Sequence, residues 1–193
     1  INYNNRFPEH FDVILEQHCT KESSNLLLKY AIQNQRVYLL RSIIKIEKKR
    51  LSKNTSTNTQ KEILLSVNHR GHTLLHQACA WGQLSVIRIL EKKCPELFSH
   101  THLLHDKLGL TPMHLSCIYH KEHVLRYMHI KHKKLLYLCD KKGNTLAHIA
   151  AQHNHVEVMK VLQHFSYGII HVLNHKKESP YQIAKQQKHK KMI

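Results

Sequence analysis

Asp140-Lys-Lys-Gly-Asn-Thr-Leu-Ala-His-Ile-Ala-Ala151 is the stretch that decides how this chain folds. An acidic residue, two free positions, Gly143, one free position and Thr145 spell a tight turn that feeds a helix. Thr145 is suited to cap that helix through its hydroxyl. Gly143 can take the positive φ of a tight turn. Leu146, Ile149 and Ala150 then share one helical face at three- and four-residue spacing.

The phrase recurs, and a recurring phrase is the signature of a repeat architecture. Asn68-His-Arg-Gly-His-Thr-Leu-Leu-His-Gln-Ala78 and Asp106-Lys-Leu-Gly-Leu-Thr-Pro-Met-His-Leu-Ser116 are copies. Asn174-His-Lys-Lys-Glu-Ser-Pro-Tyr-Gln-Ile-Ala184 is a worn fourth, with Lys177 in place of the glycine. The capping hydroxyls are Thr73, Thr111, Thr145 and Ser179, so the steps are 38, 34 and 34 residues. These residues closely resemble the ankyrin repeat and its Thr-Pro-Leu-His-x-Ala helix start. The resemblance covers residues 68–193 and, in weaker form, 24–47.

It implies an all-α ankyrin-repeat solenoid of stacked helix-turn-helix units with β-hairpin-like fingers, about four and a half repeats long. Residues 1–23 are expected to form an N-terminal capping helix, with Phe7, Phe11, Ile14, Leu15 and His18 on one face. Residues 24–67 hold a degenerate first repeat, in which Ala31 aligns with Ala78, followed by the polar insertion 48–61. Repeats follow at 68–105, 106–139 and 140–173, and 174–193 is a C-terminal partial or capping repeat.

A hydrophobic share of 41% is enough for a packed core, and the five glycines and four prolines are spent on the repeat. Gly71, Gly109 and Gly143 take the turn slot. Pro112 and Pro180 follow the caps, where a missing N–H costs nothing. The 30 Lys and Arg against 13 Asp and Glu leave a net charge of +17, a field that favours acidic partners. With 20 histidines besides, the charge climbs steeply below about pH 6.5, and self-repulsion is expected to destabilise the protein in mild acid.

The five cysteines have no tidy spacing. Cys79 and Cys117 hold matching helix positions where the repeat usually buries a small Ala. They read as reduced, packed thiols of an intracellular, reducing compartment, cytoplasm or nucleus. No apolar run reaches the roughly 18 residues a membrane span needs. The chain starts at Ile1 without Met and is expected to be a fragment. In its Lys-, His- and Asn-rich style it also resembles ankyrin proteins that intracellular bacteria deliver into host cells. In that case the compartment is the host cytosol, and a catalytic domain outside these residues stays open.

His76, His114 and His148 share the slot after the turn, and the resemblance gives them a hydrogen-bonding role within and between turns. The run His100-Thr-His-Leu-Leu-His105 and the pair His129 and His132 invite a metal reading, but no Cys or carboxylate sits at a convincing partner spacing. Cys79, Cys117 and Cys139 fall in packing or turn positions, and Cys19 beside His18 points away from it. No catalytic residue, metal or cofactor is assigned, and the chain reads as a non-enzyme and a monomer.

The ankyrin-like register points instead to protein binding by finger tips and by the outer part of each first helix. The tips are His69, Arg70 and His72; Lys107, Leu108 and Leu110; Lys141, Lys142 and Asn144. The helix positions are Ala80 and Trp81; Ile118 and Tyr119; Gln152 and His153. Trp81, Leu108, Leu110, Ile118 and Tyr119 form an apolar centre with basic residues around it, the composition of a binding hot spot. The expected partner is a protein with an apolar anchor and an acidic surface. The alternative is electrostatic, non-specific binding of nucleic acid or anionic membrane through the basic segment 121–142 and the tail 185–191.

Overall fold

The computed structural model describes residues 65–99 and 104–189 throughout, with Leu27, Tyr30, Ala31, Arg36, Leu39, Ser42, Ile43, Lys45 and Ile46 before them. The expected capping helix 1–23, the polar insertion 48–61, Cys19, His100 and His102 lie outside the described residues.

Seven α-helices of seven to ten residues, three pairs and a final first helix, follow one another among the described residues. The first helices of successive units are α1 (Leu74–Trp81), α3 (Pro112–Ile118), α5 (Leu146–Gln152) and α7 (Pro180–Gln186). The second helices are α2 (Leu84–Lys93), α4 (Glu122–Lys131) and α6 (Val156–Phe165). Each second helix runs into a short 3-10 turn, at Pro95–Phe98, Lys133–Tyr137 and Tyr167–Ile170. First helices pack in a row, α1 on α3, α3 on α5 and α5 on α7, while each second helix packs on its own first helix.

The core runs the length of the stack, with Leu75, Ile87, Leu90, Met113, Leu125 and Met128 fully buried. Ala31, Leu39, Ile43 and Ile46 join the same cluster. One backbone bond recurs just past each first helix. Gln83 N donates to Ala78 O (2.9 Å), Lys121 N to Ser116 O (2.7 Å), His155 N to Ala150 O (2.9 Å) and His189 N to Ala184 O (3.0 Å). Arg36 N donates to Ala31 O (2.7 Å) at the same offset.

Gly82 (φ 74°), His120 (57°) and Asn154 (56°), each two places before a second helix, and Lys188 (58°) just past α7 share one repeat position and sit in the left-handed region. The fingers are hairpin-like turns, and the described residues contain no strand. A leading Asn or Asp builds each one. Its side-chain oxygen accepts two backbone N–H bonds: from Arg70 and His72 onto Asn68, from Leu108 and Leu110 onto Asp106, from Lys142 and Asn144 onto Asp140, and from Lys176 and Glu178 onto Asn174. Short polar side chains that bond their own backbone two residues on are the natural starters of such turns.

Gly143 has φ +74°, and a Cβ there would stand 2.9 Å from the His175 backbone nitrogen. The glycine therefore answers both the turn and the close approach of the next finger. That approach is a bond: His175 N donates to Lys142 O (3.0 Å), as Lys107 N does to Arg70 O (3.1 Å).

Candidate functional site

Two columns of histidine hold the stack in register. In the first, His76, His114 and His148 each sit three residues after the helix cap. Nδ1 of each accepts the backbone N–H of its own cap, Thr73 (3.2 Å), Thr111 (3.2 Å) and Thr145 (3.1 Å). Nε2 of each donates to a carbonyl of the next finger, Leu110 (3.2 Å), Asn144 (3.0 Å) and Glu178 (3.0 Å). This geometry requires the neutral ring, because a proton on Nδ1 would face the Thr N–H.

Burial acts in the same direction, since a charged imidazole loses its hydration there. His76 is pushed down to about 4, chiefly by burial and against the opposing pull of the Leu110 carbonyl. His114 and His148 are lowered for the same first reason. In the fourth copy Gln182 stands in this slot, and its Oε1 accepts the Ser179 N–H at 2.7 Å.

The second column was not read from the sequence. His123 Nε2 donates to Gly82 O (2.8 Å), His155 Nε2 to Ile118 O (2.9 Å) and His189 Nδ1 to Ala151 O (2.9 Å). These carbonyls lie at the ends of first helices, where the last turn has no intrahelical donor left. Much of the histidine content is thus scaffold.

The faces left free by this scaffold meet in two adjoining grooves across repeats two and three. The larger, about 470 Å³, lies between the finger Asn68–His72 and the outer side of α1, and is lined by Gln77, Ala80, Trp81, Leu115 and Tyr119. The other, about 410 Å³, continues beneath the next finger and is lined by Asp106, Lys107, Leu108, Leu110, Ile118 and Tyr119. His69, Arg70 and His72 line both. Trp81, Leu108 and Tyr119 are 49%, 73% and 53% exposed, so a contiguous apolar floor stands open to solvent.

Asp106 is the one acid among the lining residues, and it is spent internally. Its Oδ1 holds the turn, and its Oδ2 lies 3.0 Å from His72 Nε2. Arg70 and Lys107, both exposed, leave the rim cationic.

Ten residues singled out in the sequence therefore line one place: His69, Arg70, His72, Ala80, Trp81, Lys107, Leu108, Leu110, Ile118 and Tyr119. Lys141, Lys142, Gln152 and His153 are exposed one repeat further on and line neither groove. Asn144 is a correction. The sequence reading counts it among free finger positions, but it is 8% exposed. Its Nδ2 donates to Asp140 Oδ2 (2.9 Å) and its Oδ1 accepts from Asn174 Nδ2 (2.9 Å), so it bridges two fingers instead of facing a partner. Gln77 and Leu115 were missed, although each precedes a named aromatic by four residues and so shares its helix face.

Cys79 and Cys117 are fully buried. Burial pushes the Cys79 thiol up to about 12 and Cys117 further in the same direction, which keeps both protonated at neutral pH. His132 Nε2 pairs with Glu91 (3.0 Å) and His129 stacks on Phe165 (4.0 Å), so the two rings serve different partners. No group of three or more His, Cys, Asp or Glu placed to hold a metal ion occurs among the described residues. No helix among the described residues is long and apolar enough to cross a membrane.

Among curated proteins none matches the chain. A family model described as ankyrin repeats, in three copies, matches residues 91–174. Paired helices in a row, turn-forming fingers and a Thr–His cap on each of three first helices accompany that match; over residues 91–174 the chain is built of ankyrin repeats.

Proposed function

We propose that this chain binds a partner protein in the groove between the fingers of repeats two and three and the outer faces of α1 and α3. Ankyrin repeats are protein–protein interaction modules. The observation that carries it is the exposed pair Trp81 and Tyr119 on one apolar floor, rimmed by Arg70 and Lys107. Large exposed aromatics beside apolar neighbours concentrate binding energy, because they bury much area at small entropic cost. The matching ligand is a segment with an apolar anchor flanked by Asp or Glu. Lys141, Lys142, Gln152 and His153 extend the same side of the stack and take the flank of a longer partner.

Trp81 is the only tryptophan in the chain, so its emission reports the groove directly. Peptides selected from a random displayed library on the intact protein should be enriched in acidic residues around Leu, Phe or Trp, and those lacking Trp should shift Trp81 fluorescence to the blue. Trp81→Ala and Tyr119→Ala should each weaken such peptides by about 2 kcal/mol or more. Selected peptides that bind both variants as tightly as the wild-type protein would place the site elsewhere.

A further inference from the structure

Equivalent positions of successive repeats fall in rows along a stack, so spacing of 38 and then 34 residues identifies which side chains share an edge. One edge is built by the C-terminal ends of the second helices and the 3-10 turns after them, none of whose residues lines the groove. Lys92 and Lys93 end α2 there, Lys131 ends α4, and Lys133 and Lys134 begin the following turn; all five are exposed. Beside them stand Ile130, 77% exposed, Tyr137, and Tyr167, 72% exposed. Tyr167 holds the repeat position of Lys133, and Ile130 that of Lys92.

The acids on this edge offset little of that charge. Glu91 accepts the Tyr127 hydroxyl (2.6 Å) and pairs with His132, and Glu96 is half-buried. Lysines in a last helical turn complement the helix dipole, which accounts for Lys92, Lys93 and Lys131. It does not account for Lys133 and Lys134 beyond the helix, nor for an isoleucine and two tyrosines left in water among them.

We propose that this edge docks on an anionic lipid surface. The lysines face the headgroups, the tyrosines sit at headgroup level, and Ile130 enters the boundary with the acyl chains. Basic residues interleaved with aliphatic and aromatic ones suit such an interface, where both kinds of contact form at once. A nucleic-acid backbone would satisfy the lysines but offer Ile130 nothing.

The test is flotation of the protein with phosphatidylcholine vesicles, with and without roughly one-third phosphatidylserine, beside a titration with duplex DNA. Binding is expected to the serine-containing vesicles alone. Lys133→Glu with Lys134→Glu should lower it about tenfold or more, and Ile130→Ser with Tyr167→Ser should do the same without changing the net charge. Lys176→Glu with Lys185→Glu, an equal charge change elsewhere on the surface, should leave it within about twofold. All these positions are exposed, and far-ultraviolet circular dichroism verifies that each variant is folded.

Four results would each overturn the proposal: no binding to serine-containing vesicles, equal binding to vesicles without them, wild-type binding by the Ile130/Tyr167 variant, or an equal loss in the Lys176/Lys185 variant. Tighter binding to duplex DNA than to vesicles, indifferent to the Ile130/Tyr167 change, would assign the edge to nucleic acid instead.

Discussion

Lowering the pH from 7.5 to 5.0 should loosen this protein through its buried histidines, and His76 alone sets a usable scale. An unfolded histidine titrates at the ordinary 6.5, whereas His76 in the fold titrates at about 4. A folded pKa below the unfolded one means that the unfolded chain takes up the proton first. Stability is therefore full above about pH 6.5 and falls as the pH drops toward 4, below which this site loses no more. At pH 5 the unfolded site gains a factor of about 30 and the folded site almost nothing, so the difference is about 2 kcal/mol. His114 and His148 shift in the same direction and add to it.

Urea unfolding followed by circular dichroism at pH 7.5, 6.0 and 5.0, at low and at 0.5 M salt, measures the loss and identifies its source. The net charge of +17 also favours acid unfolding by self-repulsion, but salt screens repulsion between exposed charges and hardly touches a buried ring. His76→Gln supplies the control, because Gln182 already fills this slot in the fourth copy and accepts the cap N–H. That variant should lose about 2 kcal/mol less than wild type between pH 7.5 and 5.0. Acid loss that vanishes in high salt, or that is undiminished in His76→Gln, would refute the reasoning.

Gly143→Ala should cost about 1–3 kcal/mol, since it combines a positive φ with a Cβ pressed on the His175 backbone; urea midpoints measure it. The reverse change should help where the chain already tolerates strain. His120→Gly, in the left-handed turn before α4, should leave stability level or raise it by up to about 1 kcal/mol, the offset being any lost contact between its ring and Glu122 or His155. Among the described thiols, Cys139 should react first with a soluble disulfide reagent, while Cys79, Cys94 and Cys117 wait for unfolding; peptide mapping of the labelled protein reads the order.

The fold was legible because its signals are local. Gly143 to Thr145 to His148 spans one turn and one cap, and sequence spacing alone puts those groups in reach. Transferring that register from copy to copy was enough to put Trp81 and Tyr119 at the ends of the capped helices, where both line the proposed groove. Gln77 and Leu115 were one helical turn short of being found. Asn144 was misread because its burial is decided by Asn174, a residue of the neighbouring finger. The His123, His155 and His189 bonds were invisible for the same reason: each reaches a carbonyl roughly one repeat away, and nothing near it in sequence marks the target. The left-handed position of His120, Asn154 and Lys188 carries no glycine, so only its alignment with Gly82 could have revealed it.

The fingers of neighbouring units are tied by small groups of bonds, among them Lys107 to Arg70 and His175 to Lys142 along the backbone and Asn174 to Asn144 between side chains. Under tension along the stack this makes the molecule a serial clasp. Load is carried by one small group of contacts at a time, so the protein should open from an end and pause at each junction. Each regular repeat that lets go frees 34 residues, about 115 Å of extended chain. A binding groove that spans two repeats is then also a mechanical staple, for an occupant seated on Trp81 and Tyr119 must be torn away before those two units can part.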